Sequence, residues 1–317
     1  MSEELYQNDI AILLATHNGE CFLRPQLESI AAQTHPFWHL LVQDDSSTDE
    51  TLSIINEFAN RYPDKTTILP VGHFGSAKAN FSSLLEQCPA QFRYMAFCDQ
   101  DDIWLASKLE RSIDALKRAE KNLGDIPVLV HSDLTLVNEY CELISPSMFH
   151  YQKLDPRFGN SLHRISMQNV VTGCTVLFNA ALRDLSSPVP ADAIIHDWWL
   201  AQCAAAYGKI IFLNESTILY RQHGTNTIGA RKYSALSAFK HFLAGTGTLK
   251  QSICGVSLQA GGFYLRFASR MDKKQHRQIA AIASLSSMKK PARILCIFLN
   301  DLRLVGFLRN LGLIVGG

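Results

Sequence analysis

Residues 10–19 read IAILLATHNG. An unbroken apolar run gives way to Thr16, His17, Asn18 and Gly19. A run of strand length, closed by turn formers, predicts a strand buried on both faces, as in a parallel sheet. The same punctuation recurs twice. WHLLVQ (residues 38–43) runs into Asp44 and Asp45, and RYMAFC (residues 93–98) runs into Asp99-Gln100-Asp101-Asp102. Apolar residues at helical spacing fill the intervals. Leu23, Leu27 and Ile30 predict a helix over 23–33, and Leu52, Ile55 and Phe58 one over 49–61, entered through the N-cap formers Ser47, Thr48 and Asp49. Helices are also predicted over 77–87 and 107–122, the second with Leu109, Ile113 and Leu116 on one face, and a short strand over 66–70. Repeated βα units of this length imply a mostly parallel sheet with right-handed crossovers. Such sheets bind ligands at the carboxyl ends of their strands, where the acidic residues fall.

Further along, strands are predicted over 128–137, 176–178, 209–212 and 217–220, and a helix over 196–207 that begins His-Asp-Trp-Trp. Residues 141–164, with Pro146, Pro156 and Gly159, read as a long functional loop. After residue 230 strand signals vanish and basic amphipathic helices follow. The expected division is an α/β domain over 1–230 and a helical extension over 231–317.

Composition bounds the function. The chain has 317 residues, 47% of them hydrophobic and 19% charged, which excludes a disordered polymer. Lys and Arg total 30 against 29 Asp and Glu, so no global basic field argues for nucleic acid. The eight cysteines are scattered, with no CxxC pair, and signal neither a zinc site nor a disulfide framework. MSEELYQND lacks the features of a signal peptide, so a cytoplasmic protein is expected. No apolar run reaches the roughly 18 residues that span a bilayer.

Four clusters carry chemistry. Asp99 and Asp101, two apart just past a buried strand, can reach one divalent cation, and oxygen ligands suit Mg²⁺ or Mn²⁺. The bland alternative is a solvated strand end. Asp44 and Asp45 can accept from a base N–H or a ribose hydroxyl, or serve as loop acids. Asp197, beside Trp198 and Trp199, suits a general base acting on an alcohol, although both tryptophans read equally as core. Arg221 and His223 alternate along an extended stretch; Arg suits phosphate and neutral His suits a metal, or both belong to a polar loop.

Taken together, IAILLATHNG, QDDSSTDET, FCDQDDIW, HDWW and YRQHGTNTIGA resemble the landmarks of family 2 glycosyltransferases with the GT-A fold, over residues 9–230. That fold is α/β and Rossmann-like, a mostly parallel central sheet flanked by helices. The last three segments are similar to a bacterial rhamnosyltransferase-like subgroup. The resemblance implies that Thr16 and Asn18 line a base pocket with Asp45 and Asp44. It implies a metal and diphosphate site at Asp99 and Asp101, with Asp102 a looser neighbour, and Asp197 as catalytic base. Arg221 and His223 would approach the diphosphate or metal, and Asn80, with Lys78, would face the donor. His196 departs from the pattern, since many relatives carry Glu there.

The implied activity is inverting transfer of a sugar from dTDP-rhamnose or a UDP-hexose to a hydroxyl of a glycan or lipid-linked glycan, in bacterial surface polysaccharide synthesis. A sugar-phosphate nucleotidyltransferase would need a Gly-rich basic phosphate loop after the first strand, where THNGECFL stands. A phosphatase with an aspartyl nucleophile leaves the other motifs unexplained, and GxxxxGK[ST] is absent. A non-catalytic glycan- or nucleotide-binding protein is the rival from another class. The basic helices of the tail, including 233–249, suggest peripheral contact with the cytoplasmic face of an inner membrane.

Overall fold

The computed structural model describes residues 9–224 and 247–315. The predicted strands β1 (Ile10–Thr16), β2 (Trp38–Asp44), β3 (Thr66–Ile68) and β4 (Tyr94–Cys98) all form. They alternate with α1 (Leu23–Ala31), α2 (Thr51–Arg61) and α3 (Ala77–Gln87). A two-residue strand, β5 (Ile103–Trp104), follows, then α4 (Lys108–Leu123), β6 (Val128–Asn138) and β7 (Leu143–Ser145). Next come α5 (Met148–Gln152), α6 (Leu162–Met167), β8 (Leu177–Asn179), α7 (Ala180–Ser186), α8 (His196–Tyr207) and β9 (Lys209–Gln222). Helices α9 (Gly247–Phe267), α10 (Lys273–Ser284), α11 (Lys290–Leu299) and α12 (Phe307–Val315) complete the described chain.

The sheet runs β3-β2-β1-β4-β8-β6-β9-β5, with β7 paired to β6. Its first four strands are parallel, as continuous apolar runs require. From β8 onward the pairing is mixed: β8 is antiparallel to both β4 and β6, whereas β9 runs parallel to β6. Residues 10–14 of β1 are fully buried, and Ile54, Ile55 and Phe58 of α2 and Leu109, Ile113 and Leu116 of α4 close over the sheet. Helix α4 ends at Gly124, whose φ of +79° is a conformation glycine takes at little cost.

Two expectations are corrected. Residues 141–164 are not a long loop: β7, α5, a short 3₁₀ turn and the start of α6 occupy them. Pro156 stands at the start of the 3₁₀ turn, behind the cap made by Asp155, so it initiates structure there. The strands expected over 209–212 and 217–220 are one strand, β9. Its polar middle sits where the β6 register shifts and Asp133 faces Ser216, so a bulge absorbs the residues that read as a gap.

The chain forms two compact units. Among the described residues, one comprises 9–148, 172–188 and 207–224, and holds the sheet. The other comprises 149–171, 189–206 and 247–315. In the second, Trp199 of α8 is fully buried, with its ring 5.5 Å from Phe263 and 6.1 Å from Phe267 of α9.

Candidate active site

The parallel register sets the first part of the site. Thr16 lies opposite Asp44 and Leu14 opposite Cys98, so β1, β2 and β4 end nearly level and their turns emerge side by side. Hydrogen bonds lace those turns together. Thr16 Oγ1 donates to Asp44 Oδ2 at 2.8 Å, and Ser47 donates to the same carboxylate through its N–H (2.7 Å) and its Oγ (2.6 Å). Asp45 accepts from the N–H groups of Phe74 (2.5 Å) and Gly75 (2.9 Å), and so holds the turn that follows β3. Asn18, at φ +47°, accepts from the Thr48 N–H at 2.9 Å. Gln100 clamps the backbone of His17, accepting from its N–H and donating to its carbonyl, both at 2.9 Å. A Cβ at Gly19 would run into the side-chain amide of Gln100, so a larger residue there would have to displace that clamp.

The predicted donor residues Thr16, Asn18, Asp44 and Asp45 are thus brought together. Asn80 of α3 is buried and donates to the Gln43 carbonyl at 3.1 Å, while its Oδ1 has no hydrogen bond among the described residues.

The third turn carries the acids. Asp101 Oδ2 pairs with His223 Nε2 at 2.8 Å. Arg221, buried, donates to the carbonyls of Asp101 (3.0 Å) and Glu139 (3.3 Å). Phe22 supports both: its ring centre lies 4.7 Å from the Arg221 guanidinium and 4.5 Å from the His223 ring. In the described structure Arg221 therefore braces the acidic turn. Residues 225–230 of the YRQHGTNTIGA stretch lie outside the described residues.

Asp102 is fully buried, and its carboxylate oxygens have no hydrogen bond of good geometry. Burial, with the charges of Asp101 and Asp99, pushes its pKa well up; the Cys174 thiol and the Arg221 backbone N–H oppose that. Atoms of Asp99, Asp102 and Cys174 lie within 4.8 Å of one another. Burial keeps Cys174 a thiol, which leaves the carboxyl oxygens of Asp99 and Asp102 as the hard donors of the cluster. The half-exposed Asp99 and the buried Asp102 thus present carboxyl oxygens close together, the donor type a hard divalent cation takes. Beneath them Lys108 is fully buried, its Nζ 4.4 Å from the Trp104 ring, and burial pulls its pKa down to about 8 against Cys174, Cys98 and Asp102.

The second unit holds the base candidate. Asp197 stands in the first turn of α8, where the helix dipole favours a carboxylate. It is buried and accepts from Asn169 Nδ2 at 3.3 Å. Asn169 is held in turn by the Val171 N–H, which donates to its Oδ1 at 2.9 Å. His196 is neutral, since burial drives its pKa to about 3. Trp198 donates to the Ile165 carbonyl at 2.5 Å, whereas Trp199 is core.

Sequence reading missed Phe22, Gln100, Lys108, Cys174 and Asn169. Gln100 lies inside a motif already singled out. Phe22, Cys174 and Asn169 carry no periodic or charge signal, because their partners are distant in sequence, and the charge of Lys108 does not reveal that it is buried against Trp104.

A family model described as glycosyl transferase family 2 matches residues 11–185. The chain is also 31% identical over 220 residues to dTDP-rhamnosyl transferase RfbG of Shigella flexneri, covering 68% of this chain and 74% of RfbG. The chain belongs to glycosyltransferase family 2. This glycosyltransferase is further 27% identical over 148 residues to the Escherichia coli UDP-Glc:alpha-D-GlcNAc-diphosphoundecaprenol beta-1,3-glucosyltransferase WfgD, over 46% of its own length and 54% of WfgD. Its fold matches the crystal structure of Staphylococcus aureus TarS 1–349 in complex with UDP-GlcNAc, with a TM-score of 0.56 at 15% identity, over 93% of this chain and 87% of that one. The GT-A fold of the glycosyltransferase is thereby shown.

Proposed function

We propose that this glycosyltransferase moves a sugar from dTDP-rhamnose or a UDP-hexose to a hydroxyl of a glycan or lipid-linked glycan, with inversion, during synthesis of a surface polysaccharide. The observation that carries this reading is the set of three polar turns fastened side by side at the ends of β1, β2 and β4. Similarity to RfbG favours the rhamnosyl donor, and similarity to WfgD keeps a UDP-hexose in play.

In this mechanism Thr16, Asn18, Asp44 and Asp45 hold the nucleoside, and Asn80 faces the donor from α3. Asp99 and Asp101 would hold Mg²⁺ or Mn²⁺, with Asp102 close to Asp99 and His223 fixing the Asp101 carboxylate. A divalent cation held there would supply positive charge to balance that on the departing nucleoside diphosphate. Arg221 stiffens the acidic turn and adds positive charge near the diphosphate. Asp197 removes the proton of the acceptor hydroxyl as the new glycosidic bond forms. The hydrogen bond from Asn169 orients its carboxylate.

The test is a donor panel of dTDP-rhamnose, UDP-glucose and UDP-N-acetylglucosamine, with a lipid-linked glycan extract as acceptor. The expected result is nucleoside diphosphate release from one donor, dependent on Mn²⁺ or Mg²⁺ and stopped by chelation. Binding of nucleotide with no release from any donor would establish a non-catalytic binding protein.

A further inference from the structure

Helix α11 is turned inside out. An ordinary surface helix shows solvent its polar side and the core its apolar stripe. From residue 291 to 299, every exposed side chain of α11 is apolar: Pro291, Ala292, Leu295, Phe298 and Leu299. The inward face holds Ile297 together with Arg293, which is only 8% exposed. Leu295, Phe298 and Leu299 are 59%, 65% and 68% exposed and fall at helical spacing on one stripe. Helix α12 repeats the pattern with Phe307 (79%), Leu308 and Leu311. Six of the sixteen exposed large apolar residues among those described lie within residues 295–311.

The charge around this surface has one sign. Residues 273–317 hold eight Lys or Arg against a single acid, Asp301. Lys289 and Lys290 stand exposed at the start of α11, and Arg303 stands exposed between α11 and α12. No described helix is long and apolar enough to cross a membrane. A cavity of about 480 Å³ lies against α11, with Cys296 and Leu299 on one wall, Ala280, Ala281 and Met288 among its other lining residues, and Arg277 beside them.

From this we infer that α11 and α12 are an interfacial anchor, whose exposed leucines and phenylalanines enter the headgroup region of an anionic phospholipid bilayer. The basic side chains select the negative lipid surface, and the apolar stripe supplies the affinity. The anchor does not depend on the catalytic reading, because vesicle binding and donor turnover can fail separately.

The experiment is cosedimentation of the full chain with phosphatidylcholine vesicles, with and without phosphatidylglycerol. The wild-type chain should bind the anionic vesicles and release them as salt rises. Phe298→Ser with Leu299→Ser should weaken binding roughly tenfold or more, since each side chain loses the transfer free energy of a buried apolar group. Lys289→Glu with Lys290→Glu should remove the preference for phosphatidylglycerol. Donor hydrolysis in solution should match wild type in every variant. A double serine variant that melts early is replaced by Leu295→Gln, on an equally exposed side chain. Absence of binding to anionic vesicles at low salt overturns the inference, as does serine-variant binding equal to wild type. It is equally overturned by a wild-type dimer that the serine variant converts to monomer with vesicle binding unchanged, which would assign the stripe to a second copy of the chain.

Discussion

The carboxyl ends of β1, β2 and β4 and the outward face of α11 handle polarity in opposite ways. At the strand ends, carboxylates and a lysine are drawn into the protein: Asp44, Asp102 and Lys108 are all at most 1% exposed. On α11 the arginine lies inside and the leucines lie outside. Both arrangements work against the stability of the isolated fold. Burying a charge without full compensation costs several kcal/mol, and an exposed apolar stripe forgoes burial worth about 1.5–3 kcal/mol per large side chain. On the readings proposed above, each is completed by something outside the chain, a cation and nucleotide in one place and a lipid surface in the other. The shared lesson is that a local departure from good folding practice marks where a second molecule belongs.

The sharpest way to break this contrast is Asp197→Asn set beside Phe298→Ser. Loss of the base should lower transfer by roughly 10²–10⁴-fold with nucleotide affinity retained, while the α11 variant should turn over soluble donor at the wild-type rate. Steady-state kinetics with calorimetry decides, and retained transfer in Asp197→Asn would reject that residue as the base.

A second effect should appear in both units, because each holds a buried histidine, His131 in one and His196 in the other, with a pKa pulled down to about 3 from the usual 6.5. The unfolded chain takes up these protons near pH 6.5 while the folded chain resists. The stabilisation is therefore fully present above pH 6.5 and lost as pH falls toward 3. The loss should be on the order of 3 kcal/mol per histidine by pH 4. Melting temperatures across pH 7 to 4 should fall accordingly, and His131→Gln should flatten the slope; unchanged slopes would show that these rings do not control the acid response.

The smallest effect concerns the lacing. Asp45→Ala removes the acceptor for the N–H groups of Phe74 and Gly75. It should cost about 1–3 kcal/mol in urea unfolding and raise the donor KM more than it lowers kcat. A fall confined to kcat would place Asp45 nearer the chemistry than the nucleoside.

The strand ends were legible because β1, β2 and β4 are buried on both faces, which writes each strand as a continuous apolar run with its acids at the boundary. The partners of those acids were not. Gln100 reaches back 83 residues to His17, and Arg221 reaches 120 to Asp101; contacts of that range have no period in the sequence. Residues 141–164 were misread because proline and glycine mark turns between short elements as readily as they mark loops. In β9 the polar residues 214–216 read as an interruption, since a bulge is a property of two strands and one segment of sequence shows only one of them. The basic amphipathic character of the tail is legible in the sequence, but amphipathicity alone does not say which side of α11 faces the core.

The clamp between Gln100 and His17 has one more consequence. Because the three turns are already tied to one another, a donor bound there as proposed would meet them preformed, and ordering them should cost little conformational entropy. Preorganisation of this kind favours nucleotide affinity that changes little with temperature-driven loop fluctuation. A side chain at position 19 would have to push the Gln100 amide aside, and on the proposed function it should weaken donor binding by loosening that clamp.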